Sequence, residues 1–82
     1  MTPEEHSQIV ERFFLVLADL KASRKIRGVK TFTDRYGVHR RSLQRIQQTH
    51  SQEFRAVWLT YLVRDFGVSA QWLLTGEGGM YE

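Results

Sequence analysis

Between residues 9 and 20 the apolar side chains recur three or four positions apart: Ile9, Phe13, Val16, Leu17 and Leu20, with Val10 and Phe14 widening the stripe. Residues at those separations stack above one another on a helix surface, so the pattern predicts a helix with one face turned to a core. Ahead of it, Thr2, Pro3 and Glu5 have the order of a capping box with proline at the first helical position. The predicted helix runs from about Pro3 to Ala22. SRKIRG, residues 23–28, then breaks the period and reads as a connector.

A short helix is expected over about 29–36, with Phe32 and Tyr36 four apart on one face and a start left open between Gly28 and Thr31. Gly37 is placed to stop it, since glycine enters the left-handed conformation without a Cβ penalty. A third helix, about His39 to Gln48, carries Leu43 and Ile46. THSQ, residues 49–52, supplies a loop and, in Ser51, the expected cap of a fourth helix. There Phe54, Val57, Trp58, Tyr61 and Leu62 follow the i, i+3, i+4, i+7, i+8 series and Gly67 ends it. A last helix, Ser69 to Leu74, stops at Gly76. No strand-like alternation interrupts this reading, and no low-complexity linker divides residues 1–82. The fold class expected is all-α: one domain, five helices, one core.

Composition narrows the chemistry. A chain of 82 residues buries only about 60% of its unfolded surface, which leaves little room for a large cleft. With no cysteine, neither disulfides nor a Cys-based zinc site can support it, so the core must be hydrophobic. The longest apolar run, FFLVLA at 13–18, is far short of the ~18 residues of a membrane span. The acidic, polar start MTPEEHSQ argues against a secretory signal, and the chain reads as cytoplasmic. His6, His39 and His50 stand at no metal-ligand spacing, so neither metal nor cofactor is expected. TGEGG lacks the Lys-Ser/Thr of a phosphate loop, the Asp65-Phe66-Gly67 tripeptide has no kinase context, and no serine sits in a nucleophile elbow. Enzymatic activity is not expected.

Charge changes the picture. The net charge is only +3, but residues 21–45 hold nine basic side chains against the single acid Asp34. That block carries +8 and leaves −5 on the other 57 residues. Such polarisation focuses field on one side of a small domain, as in nucleic-acid binders, although a solvated basic stretch would look the same on charge alone. The third helix separates the two. At about 100° per residue, Arg40, Gln44, Gln48, Arg41 and Arg45 fall within an arc of about 140°, with Leu43 and Ile46 roughly opposite. Arginine and glutamine are the side chains that pair bidentately with guanine and adenine edges. No acid interrupts His39 to Gln48.

Phe32, Tyr36, Gly37, Val38, Leu43 and Ile46 together resemble the helix-turn-helix of the lambda-repressor-like group (Cro/CI type). In that group apolar residues flank a turn glycine and further anchors follow along the second helix. Thr33 stands where the group usually has alanine, and His39 where Ser or Thr usually caps. The five-helix layout and the ending GVSAQWLLTGEGGM are also similar to repressor domains of this group. The resemblance implies a compact lambda-repressor-like bundle with its helix-turn-helix at about 29–48. It further implies a sequence-specific, double-stranded-DNA-binding transcriptional regulator of repressor-like type.

Carried over position by position, the base-facing and groove-edge residues are His39, Arg40, Arg41, Gln44 and Arg45, in agreement with the wheel. Lys25, Arg27, Lys30 and Arg35 would contact phosphate. The alternative is a protein-interaction module on the same scaffold, docking an acidic partner. RNA fits less well, because the basic block holds only two aromatics, Phe32 and Tyr36, and both look buried. Small domains of this kind read few base pairs each, so a homodimer is expected, with Val63, Phe66, Met80 and Tyr81 as candidate interface. Leu62, Phe66, Gly67, Val68 and Leu73 repeat the Phe32, Tyr36, Gly37, Val38, Leu43 pattern 30 residues on. Ser69, Ala70, Gln71 and Trp72 stand there in place of an arginine cluster, so this second copy reads as packing.

Overall fold

The computed structural model describes residues 2–82 and is all-helical, with five helices in chain order. The first, α1 (Pro3–Ala22), starts as its sequence requires: Glu5 N–H donates to Thr2 Oγ1 at 3.1 Å and Thr2 N–H donates to the Glu5 carboxylate at 3.0 Å. The Thr2 N–H lowers the Glu5 pKa from its ordinary value. Ile9, Val10, Phe13, Val16, Leu17 and Leu20 are buried, as is His6 one turn before Ile9.

Next come α2 (Val29–Tyr36), α3 (Arg40–Thr49), α4 (Val57–Phe66) and α5 (Ala70–Thr75). Gly37 and Gly67 end α2 and α4 in the left-handed region, at φ 67° and 68°, where a Cβ would be strained. The 30-residue repeat in the sequence is therefore structural, two copies of a helix, a left-handed glycine, a valine and a further helix. Thr33 is buried and its hydroxyl donates to the Lys30 carbonyl at 3.0 Å, so the larger residue adds no unpaired polar group.

The start of the fourth helix differs from the sequence expectation. Ser51 does not cap it; α4 begins only at Val57, after Ala56, with no side-chain cap. Ser51 Oγ instead accepts from Glu53 N–H at 3.1 Å, two residues on, a local bond of the kind that competes with helix formation. Phe54 continues the helical spacing of α4 without being helical, because its ring is drawn into the core from the loop.

That core is organised around Phe13. Its ring meets Phe32 at 5.6 Å and Phe54 at 5.1 Å between centroids, both edge-to-face, and Trp58 at 6.2 Å. Phe32 leads on to Tyr36, which stacks flat on Tyr61 at 4.1 Å. Helix α1 packs against α3 and α5 and reaches α2 and α4 through the Phe13 ring. Arg12 donates to the Leu73 and Leu74 carbonyls at 2.8 and 3.2 Å, bonding carbonyls near the C-terminal end of α5.

The last residues close the fold. Ser69 N–H donates to the Met80 carbonyl at 2.8 Å, Glu82 N–H to the Gly67 carbonyl at 3.1 Å, and Val68 and Tyr81 form an isolated antiparallel bridge. Val63, Phe66, Met80 and Tyr81, expected at a dimer interface, are partly buried and pack against the protein's own core. The large apolar side chains left exposed are Leu15, Val57 and Leu74.

Two tyrosine–aspartate bonds give the fold a pH signature. Tyr36 and Tyr81 donate to Asp65 and Asp19, each at 2.6 Å. Burial first, then the carboxylate, pushes both phenols up to about 12. The Arg64 guanidinium, then the Tyr36 hydroxyl, hold the Asp65 carboxyl far below the usual carboxylate range. A depressed carboxyl stabilises above its unfolded pKa of about 3.9 and loses that stabilisation as pH falls; a raised phenol stabilises below about 10 and loses it on the way up. The urea midpoint is expected to be level from about pH 5 to 9 and to fall on both sides, with a shallower acid limb in Asp65→Asn. An unchanged acid limb in that variant would remove Asp65 as its source.

Candidate nucleic-acid interface

Helix α3 presents two faces. Leu43 and Ile46 are fully buried, whereas His39, Arg40, Arg41, Gln44, Arg45 and Gln48 are exposed. His39 occupies the N-cap in an extended conformation (φ −75°, ψ 119°), and its side chain makes no capping bond. No acid lies in the first turn of α3. His39, Arg40, Arg41 and Gln44 line one recess of about 420 Å³ beside that turn. Two guanidinium groups thus stand near the positive end of a helix dipole, an arrangement suited to an anion or to acceptor atoms on a base edge. Arg40 and Arg41 enter no ion pair among the described residues, so this charge is not neutralised within the chain.

Arg45 is placed differently. Its Nη2 donates to Glu53 at 2.7 Å, with both side chains 58% exposed. Glu53 was not legible as a member of the site, because it reaches α3 across a loop whose path no periodicity encodes. A second cavity, about 580 Å³, lies between the α2–α3 turn, α3 and the start of α4, with Tyr36, His39, Ser42, Glu53, Arg55 and Tyr61 among its walls. Arg55 adds an exposed cation outside the 21–45 block.

Lys25, Arg27, Lys30 and Arg35 are all exposed. Lys25 Nζ lies 5.3 Å from the Tyr81 ring centroid, and the Arg35 guanidinium stands 5.3 and 5.6 Å from the Tyr36 and Phe66 rings and 3.8 Å from Asp65. These two cations already have partners, which a phosphate would have to share. Arg27 and Lys30 are in no ion pair among the described residues. Of the nine sequence-predicted residues, four converge on the α3 recess, Arg45 turns to Glu53, and the remainder lie on α2 and the connector before it.

Among the described residues no three His, Cys, Asp or Glu side chains converge as a metal site, and no helix is long and apolar enough to cross a membrane. Comparison with models of protein families, with curated proteins and with solved structures finds no match to this chain. The chain is thus defined by its own features: a five-helix, all-α fold that exposes an acid-free, arginine-rich helix face.

Proposed function

We propose that this protein is a sequence-specific double-stranded-DNA-binding transcriptional regulator of repressor-like type, in which α2 and α3 form a helix-turn-helix and α3 enters the major groove. The carrying observation is the outer face of α3: Arg40, Arg41 and Gln44 exposed around one recess, on a helix pinned from behind by Leu43 and Ile46. Arg41, Gln44 and Arg45 reach bases, and Arg40 and His39 lie between base edge and backbone. Arg27 and Lys30, with Lys25 and Arg35 sharing their present contacts, meet phosphate, which positions the protein without reading sequence.

A homodimer on half-sites about one helical turn, ~34 to 36 Å, apart completes the reading. The surface that remains for it is the groove between α4 and α5, about 380 Å³ and lined by Leu59, Val63, Leu73 and Leu74. The same groove favours the alternative, a helix-turn-helix-scaffold module that docks a protein and leaves DNA alone.

Selection of bound duplexes from a random library separates the two. DNA binding predicts an enriched, two-fold-symmetric site, with log K falling linearly in log salt at a slope of about −0.9 per phosphate contact. No enriched site and a flat salt dependence would leave the protein-docking module.

A further inference from the structure

Glu53 has no part in base reading as described, yet it is held in place from both sides. Its N–H donates to Ser51 Oγ at 3.1 Å, and the Ser51 carbonyl lies 2.9 Å from Nε2 of the buried His6, which ties this loop to α1. On the other side Phe54 packs edge-on against Phe13 and Trp58, with centroids 5.1 and 5.2 Å away. From this fastened loop the Glu53 carboxylate meets Arg45 Nη2 at 2.7 Å.

As a source of stability the pair matters little. Both side chains are 58% exposed, and water and salt screen most of the attraction in such a pair. The consequence is geometric. A long, unrestrained arginine on a reading face can settle on any phosphate within reach. One carboxylate on one Nη2 hydrogen leaves the Nε hydrogen, both Nη1 hydrogens and the second Nη2 hydrogen, so a bidentate edge of the guanidinium is still available. The same carboxylate repels phosphate wherever Arg45 approaches the backbone.

Resting on the DNA-binding reading above, we infer that Glu53 is a specificity-determining positioning residue: it clamps Arg45 so that the free edge of its guanidinium meets a base pair and withholds it from backbone phosphate. The Ser51–His6 and Phe54 contacts set the reach of the clamp. The position of the loop, beyond α3 itself, thereby governs what α3 reads.

The test uses the full chain, with Glu53→Gln, Arg45→Ala and the double variant measured on the selected duplex, its single-base-pair variants and a random duplex. Glu53→Gln should fold as before, since the pair is exposed. On random duplex it should bind roughly three- to tenfold tighter, with a salt slope steeper by about 0.9 as Arg45 reaches phosphate. On the selected duplex it should gain nothing. Discrimination then drops by the same roughly three- to tenfold, with the lost preference at the base pair where Arg45→Ala also loses it. The double variant should lose no more preference there than Arg45→Ala.

Equal tightening on every duplex would make Glu53 a plain repulsive charge and overturn the inference. So would an unchanged preference, or an Arg45→Ala variant that reads the selected site normally. If the unmodified chain shows neither an enriched duplex nor salt-dependent binding, the DNA reading itself fails and takes this inference with it. Normal selective binding with preference intact in Glu53→Gln overturns the clamp alone.

Discussion

Phe13→Ala is expected to cost about 3 to 5 kcal/mol and to leave much of the protein unfolded near room temperature. Phe13 is fully buried and its ring touches Phe14, Phe32, Phe54 and Trp58. Truncation therefore removes one side chain from α1 and opens a void against α2, α4 and the loop before α4. That range already contains the lost aromatic pairs, each of which is worth about 0.5 to 1.5 kcal/mol beyond burial. A domain of 82 residues has only about 4 to 12 kcal/mol to lose. Urea titration followed by far-UV circular dichroism measures the loss. A cost below about 1 kcal/mol, within the range of surface substitutions, would mean that the aromatic chain does not hold the helices together. Phe14→Ala is the internal comparison: the Phe14 side chain is only partly buried and should matter less.

The second large effect separates reading from gripping. If α3 reads the major groove as proposed, Arg41→Ala should weaken binding to the selected duplex by about 1 to 3 kcal/mol and relax preference at one base pair, the loss expected for a bidentate arginine–guanine contact. Its loss on random duplex should be smaller. Lys30→Ala is the contrast, since Lys30 is exposed, in no ion pair among the described residues, and on α2. It should weaken all sequences alike and reduce the salt slope by about one unit. Lys25 would be a poorer control, because removing it also uncovers the Tyr81 ring. Arg41→Ala leaves Leu43 and Ile46 in place, so its thermal midpoint should not move, and a binding loss cannot be assigned to unfolding. Equal, uniform losses from Arg41→Ala and Lys30→Ala would show that α3 supplies charge and reads nothing.

Much of the fold was legible in the residues. The bounds of α1 and the end of α2 follow from the capping box, the apolar stripe and Gly37, and the exposed face of α3 follows from the opposition of Arg40, Arg41, Gln44 and Arg45 to Leu43 and Ile46. These signals are local: a helix is specified by neighbours within one or two turns, and period alone decides which face is apolar. The start of α4 was not legible, because Phe54 satisfies the helical period while lying in a loop. Periodicity records which side chain faces a core and cannot tell a helical residue from one folded in by a turn.

By itself, then, the sequence determined an all-α chain with one core and a basic block, and which side chains on the third helix face outward. Only the tertiary structure decided what those cations meet. Glu53 comes to Arg45 because Ser51 is tied to His6 and Phe54 to Phe13. Asp65 comes within reach of Arg35 and Tyr36 where the Tyr36–Tyr61 stack joins α2 to α4. Phe66, Met80 and Tyr81 pack against the core, with the last residues bonding back to Gly67 and Ser69, while Val63, also partly buried there, lines the groove between α4 and α5. Each of these contacts joins positions far apart along the chain or across a turn, and its geometry depends on how the helices settle around Phe13, a packing outcome that no local spacing encodes.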